Sequence, residues 1–286
     1  MVCMKLTYKH FLNEGIPKST IFSWYEKYGV KVNQSTISRT INLKTDIKCY
    51  KKQKAPLYEK DQQQRAATSS RRLVNKVFHE KDIIMNDEKY FNLSNSNIPG
   101  NDIYYTNNKL SAPDNVKYKL KKKFEEKVLV WICISSNGFC EPYIHRSKNS
   151  ITSNIYVKEC MKKRLIPFVR EHYKDNNFVF WLDLATAHYA NKTENWFIDN
   201  SIEFVQKCTN PPNVPLARPN ETFWAILSQM VYSDGWRACS IYQLVQGIKR
   251  KLNEIKENDP DLLQRLMMSV KIKLRKIADR GVYSIC

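Results

Sequence analysis

The chain has 286 residues, room for one large domain or two modest ones, and with 42% hydrophobic and 12% aromatic residues it can bury a sizeable core. No apolar run approaches the roughly 20 residues of a membrane helix, and the N-terminal MVCMKLTYKHFLNEG lacks the layout of a secretory signal, so a soluble intracellular protein with no membrane partner is expected. The formal charge of +19 points to a polyanionic partner, because Lys and Arg that neutralise phosphates release condensed counterions. Residues 1–86 hold 17 Lys+Arg against 7 Asp+Glu, about half of that excess. The eight cysteines form no CxxC pair, which argues against a finger-type zinc site and for reduced, mostly buried thiols.

In chain order, residues 1–45 predict a helix-turn-helix region. Ile21, Trp24, Tyr25 and Tyr28 recur at helical spacing, Gly29 breaks the run, and VNQSTISRTI restarts it with Val32, Ile37 and Ile41 apolar. The second helix would expose Asn33, Gln34, Ser35, Thr36 and Arg39, side chains suited to base edges and phosphates. An ordinary helical hairpin with a polar outer face fits this segment equally well. Residues 46–81 read as a basic linker running into a polar helix, in which Lys48, Lys51, Lys52 and Lys54 follow a phosphate backbone or are simply solvated, the neighbouring helix pair favouring phosphate contact.

From residue 82 to 240 the pattern is mixed α/β. DIIMNDEKYFNLS is a strand carrying Asp87, and KVLVWICISSNGFCEPYI is a hairpin turning at Asn137-Gly138. Residues 151–172 are helical, and NNFVFWLDL, apolar on both alternating faces, is a central strand covered on both sides. A helix over NKTENWFIDN, a short strand at IEFV and a helix over PNETFWAILSQMVY follow. Residues 241–286 supply two amphipathic C-terminal helices that pack on this domain.

Three acids stand out by position. Asp87 interrupts an apolar strand, and Asp183 ends the central one, where open α/β sheets form their ligand crevice. Glu221 begins a helix introduced by Pro219, about 200° around from Phe223 at 100° per residue. Each has a plainer explanation taken alone: a turn or cap residue, or an acid at a helix N-terminus worth a few tenths of a kcal/mol. Together they are hard oxygen ligands of the kind that hold two Mg²⁺ or Mn²⁺ ions about 3.5–4 Å apart for in-line phosphoryl displacement. GxSxG, HExxH and a glycine-rich phosphate loop are all absent from a chain with seven glycines.

Four stretches carry a family resemblance: NDEKYFNLS (86–94), KFEEKVLVWICISSNG (123–138), FWLDLATAHYA (180–190) and NPPNVPLARPNETFW (210–224). The last two are the most specific, an Asp-x-Ala-x-x-His element and a proline-rich approach to an acid and Trp, with 37 residues between Asp183 and Glu221. The chain resembles the transposases of the mariner superfamily from about residue 9 to 281. The resemblance implies an RNase H-like catalytic domain in which Asp87, Asp183 and Glu221 are the catalytic, metal-binding triad, with His188 and Trp224 in support. It further implies two Mg²⁺ or Mn²⁺ ions, double-stranded DNA bearing terminal inverted repeats as partner, a homodimer, a nuclear location, and cut-and-paste DNA cleavage with strand transfer. The chain departs from the family pattern in showing one helix-turn-helix unit and only 86 residues ahead of Asp87, in Leu184 where Asn is common, and in Asn220 where an apolar residue commonly precedes the Glu. Those departures admit an internally deleted copy that only binds DNA; a metal nuclease without sequence preference is a third reading.

Overall fold

The structure, a computed structural model, describes residues 55–93, 104–108, 110–118, 125–146 and 150–285. The helix-turn-helix expectation and Asn33, Gln34, Ser35, Thr36, Arg39, Lys48, Lys51, Lys52 and Lys54 lie outside the described residues. In chain order the elements are α1 (Gln62–Arg72), continuing as a π-helical turn at Leu73–Val77, then β1 (Asp82–Asn92), the short α2 (Asp114–Lys117), β2 (Lys127–Ser135), β3 (Gly138–Phe139) and β4 (Tyr143–His145). There follow α3 (Ser153–Ile155), which widens into π-helical Tyr156–Leu165 and resumes as α4 (Ile166–His172), and then β5 (Phe178–Trp181) and α5 (Asn191–Asp199). The chain closes with α6 (Asn220–Val231), α7 (Ile241–Asn258) and α8 (Leu262–Arg280). The wide turns before α4 have a local cause. Ile166 N–H reaches back to Met161, five residues away, and Pro167 next to it donates nothing.

The sheet is mixed. β1 pairs antiparallel with β2 over Met85↔Ile134 to Asn92↔Lys127 and parallel with β5 over Asp82↔Phe178 to Met85↔Trp181, and β2 also takes β3 and β4. Gly138, at φ +126, makes the tight turn between β2 and β3, a conformation that costs any residue with a Cβ. β2 is buried from Val128 to Ser135, which explains its unbroken VLVWICI run: both faces are covered. Alternation along β1 sends Glu88 and its register partner Trp131 to one face, where Trp131 meets Tyr156 edge-on, and Asp87 and Phe91 to the other, where Phe91 meets Trp224 and Tyr232.

The strand expected at 176–184 is β5, which has β1 on one edge and residues 203–205 on the other. β5 is wholly buried but ends the hydrogen-bonded strand order β3-β2-β1-β5. The strand expected at IEFV is, among the described residues, a single parallel bridge from Phe180 to Phe204. β5 stays dry because side chains cover it: Phe180 packs on Phe197, and Trp181 on Phe78. Each such large apolar side chain contributes roughly 1.5–3 kcal/mol of burial.

The helices fill both faces. The π-helical stretch and α4 bury Tyr156, Cys160, Met161, Leu165 and Phe168; α6 buries Phe223, Trp224, Leu227 and Val231. Ser240 caps α7 by accepting from Gln243 N–H at 3.2 Å, while the Gln243 side chain accepts from Cys239 N–H at 2.6 Å. α8 lies on α1, with Arg71 donating to Ala278 O at 2.5 Å. The described cysteines are all free; Cys133, Cys140 and Cys160 are buried, and Cys208 and Cys239 are exposed. Among the described residues no helix is long and apolar enough to cross a membrane.

Candidate active site

The middle of one strand, the end of another and the start of a helix meet at a cleft of about 270 Å³, which Asp87, Asp183 and Glu221 line together with Trp181, Asn210 and Arg218. β1 carries Asp87 past the point where its pairing with β5 stops, β5 delivers Asp183 two residues beyond its own end, and α6 offers Glu221 from its first turn. A larger cavity of about 520 Å³, between α4 and the α7–α8 corner, holds none of the three acids. Chemistry rather than size therefore selects the smaller cleft.

Asp183 is the most tightly held of the acids. Its Oδ1 accepts a short hydrogen bond from His188 Nδ1 and another from Ala185 N–H at 3.0 Å, leaving Oδ2 without a hydrogen bond among the described residues. His188, only 1% exposed, stacks against Tyr156 with centroids 4.2 Å apart and places Nε2 3.8 Å from Glu88. Burial pulls the Asp183 pKa up, but the bond and charge of His188, with help from Ala185 N–H and Arg218, hold it below the usual carboxylate value. Burial alone would lower the His188 pKa; Asp183 and Glu88 raise it instead.

Asp87 is in a different setting. Its Oδ1 accepts from Glu88 N–H at 2.8 Å and its Oδ2 from Trp224 Nε1 at 3.0 Å. Burial raises its pKa against the pull of the Glu88 N–H, Arg218 and Trp224, and the like charge of Asp183 pushes the same way as burial. Glu221 is exposed to the cleft and has no hydrogen-bond or ion-pair partner among the described residues.

These donors fit a hard divalent cation in kind: carboxylate oxygens with no thiolate among the cleft lining. In position they stand apart, since among the described residues no three His, Cys, Asp or Glu side chains are gathered closely enough to hold an ion as they are. Asp87 and Asp183 carry like charges that a cation between them would relieve.

Sequence reading missed two residues here. Asn210, buried, donates to Leu182 O at 2.8 Å and to the Tyr189 hydroxyl at 2.9 Å, and accepts from Trp181 Nε1 at 2.8 Å. Arg218 donates to Leu182 O and Asn86 O at 3.0 Å each and to Trp181 O at 3.2 Å. Their one signal in the sequence is that both sit in the proline-rich approach to Glu221. Asn220, noted as a departure, is 1% exposed with neither amide atom hydrogen-bonded among the described residues. An apolar side chain would suit that position.

An antiparallel β1–β2 pair continued by a parallel strand, with one acid on β1 just past its pairing with β5, a second beyond the end of β5 and a third entering from a flanking helix, is the RNase H-like class of α/β domain. No family model matches the chain. It is 26% identical over 195 residues to the Transposable element Tc3 transposase of Caenorhabditis elegans, an alignment covering 68% of this chain and 55% of that protein, so the chain matches about half the relative's length. The Mos1 transposase paired-end complex with left transposon end superposes with a TM-score of 0.69 at 15% identity, covering 96% of this chain and 77% of that one. The Mos1 mariner paired-end complex with Mg gives 0.69 at 15% identity, covering 95% and 76%. The Mos1 catalytic domain gives 0.54 at 14% identity, covering 79% and 96%. The chain is thus similar in sequence to Tc3 transposase and in fold to Mos1 transposase.

Proposed function

We propose that the chain is a transposase-type enzyme that cuts DNA at transposon ends and joins the freed 3′ ends to a target, acting as a homodimer in the nucleus with Mg²⁺ or Mn²⁺. The observation that carries this reading is the convergence of Asp87, Asp183 and Glu221 on one cleft in a strongly basic chain. The likeness to Tc3 transposase and to Mos1 complexes solved with transposon-end DNA, Mn and Mg supports it.

Asp87, Asp183 and Glu221 would hold the metal; bound there, a divalent pair supplies Lewis-acid stabilisation of the attacking and leaving oxygens of an in-line phosphoryl displacement. The residues of the chain set the geometry. His188 holds Asp183 ionised and turned, and its burial keeps that bond out of water. Trp224 fixes Asp87 from the helix that carries Glu221, so two of the three acids are tied to a single element. The basic segments would bring the phosphodiester to the cleft against carboxylate repulsion.

The test is nicking of a duplex bearing the element's end, with and without Mn²⁺, by the wild-type chain and Asp183→Asn. Metal-dependent nicking lost in the variant is expected; equal activity in both would sink the assignment. Comparison with a random duplex separates an end-specific enzyme from a general nuclease.

A further inference from the structure

We propose that Arg218 is a positioning residue that sets the spacing between Asp87 and Asp183, a role that rests on the metal reading above and extends it to a side chain that ligates nothing. Backbone pairing between β1 and β5 stops at Met85↔Trp181. The next carbonyls, Asn86 O and Leu182 O, belong to the peptide units that lead directly into Asp87 and Asp183. Arg218 accepts the task of holding them: one guanidinium nitrogen donates to Leu182 O at 3.0 Å, and the other to Asn86 O at 3.0 Å and Trp181 O at 3.2 Å. A single rigid planar group thus spans the two strands where the ladder ends and the acids begin.

The guanidinium is itself fixed. It lies over the Trp181 ring, 4.8 Å from the centroid, and that indole is tied by its N–H to Asn210. Arg218 N–H closes the 3₁₀ turn at Pro215–Ala217 by donating to Pro215 O at 2.9 Å, and Pro219 then starts the helix that bears Glu221. Asp87 and Asp183 are therefore referenced to Arg218 through its side chain, and Glu221 through three residues of main chain. The three donor contacts all go to backbone carbonyls, so the carboxylate oxygens are left for other partners.

A counter-ion role makes the opposite prediction and decides the test. If the positive charge merely neutralised the acids, it would compete with a metal, and removing it would tighten metal binding. A spacer, once removed, weakens it. Mn²⁺ affinity is read from the free-ion electron paramagnetic resonance signal for the wild type, Arg218→Lys, Arg218→Ala and Asp183→Asn, each first checked for a cooperative thermal melt. Arg218→Lys keeps the charge but not the planar fork. Both Arg218 variants are expected to bind Mn²⁺ at least about ten-fold more weakly, and millimolar methylguanidinium, but not methylammonium, is expected to restore Arg218→Ala. Unchanged or tighter binding in a variant that melts cooperatively would overturn the proposal, as would loss of a cooperative melt in both variants, which would make Arg218 a residue of the fold alone. Should Arg218→Ala alone fail to melt cooperatively, Arg218→Lys decides by the same criterion. Wild-type Mn²⁺ binding that is absent, or that survives in Asp183→Asn, strikes the metal reading itself and takes this proposal with it.

Discussion

At Asp183 a carboxylate that could have been a turn residue is held by a buried imidazole, and that contact separates the two explanations. A turn residue needs the Ala185 N–H and nothing more; the bond from His188, with Glu88 behind it, aims and ionises the acid. His188→Ala is expected to slow metal-dependent nicking about 10–100-fold, the usual cost of removing a group that orients a ligand, with end-DNA binding unchanged by fluorescence anisotropy. Loss of DNA binding in step with nicking would instead make His188 a residue of the core. The Asp-x-Ala-x-x-His spacing made His188 visible in the sequence. Glu88 was not visible, because whether the neighbour of a strand acid faces the same histidine depends on which helix covers that side of the sheet.

Among the elements, α6 does two jobs: its apolar stripe builds the core while Trp224 and Glu221 serve the cleft. Its first turn contains a conflict. Asn220 is buried with its amide unpaired, and leaving such a group unsatisfied costs about 1–3 kcal/mol. Val and Asn have similar helix propensity, so Asn220→Val is expected to stabilise the domain by about 1 kcal/mol, seen as a higher urea midpoint at unchanged slope. A lower midpoint would mean that the amide has partners in solution. The periodicity of Phe223, Leu227 and Val231 made this helix legible; the burial of Asn220 was not, since it depends on what the preceding proline-rich segment packs against. β5 shows the same limit. Its apolar run announced burial on both faces, but the sequence does not say how long the partner on its outer edge is, and here that edge is met by a single parallel bridge at Phe204, with Phe180 N–H donating to Glu203 O and Phe180 O accepting from Val205 N–H.

For the whole molecule, charge is the property that reaches the partner first. Lys48, Lys51, Lys52 and Lys54 are expected to contact phosphates, and each neutralised phosphate adds about 0.9 to the slope of log affinity against log salt. Replacing all four by Ala is expected to lower that slope by about 3–4, measured by anisotropy between about 50 and 200 mM salt, while Asp183→Asn leaves it unchanged. A slope that does not move would return the tract to a solvated linker.

The sequence by itself determined the class of fold and, apart from the strand expected at IEFV, the strand and helix order from residue 82, and it singled out the three acids with their histidine as candidates. Periodicity, turn chemistry and motif spacing are local properties, and each of these features is written in a few adjacent residues. Only the tertiary structure decided that the acids share a cleft, that β5 ends the strand order, and that Arg218 and Asn210 grip the backbone beneath Asp87 and Asp183. Those facts depend on contacts between residues 28 to 132 positions apart. The order of residues along a chain does not state such contacts; packing and the pairing of buried polar groups select them.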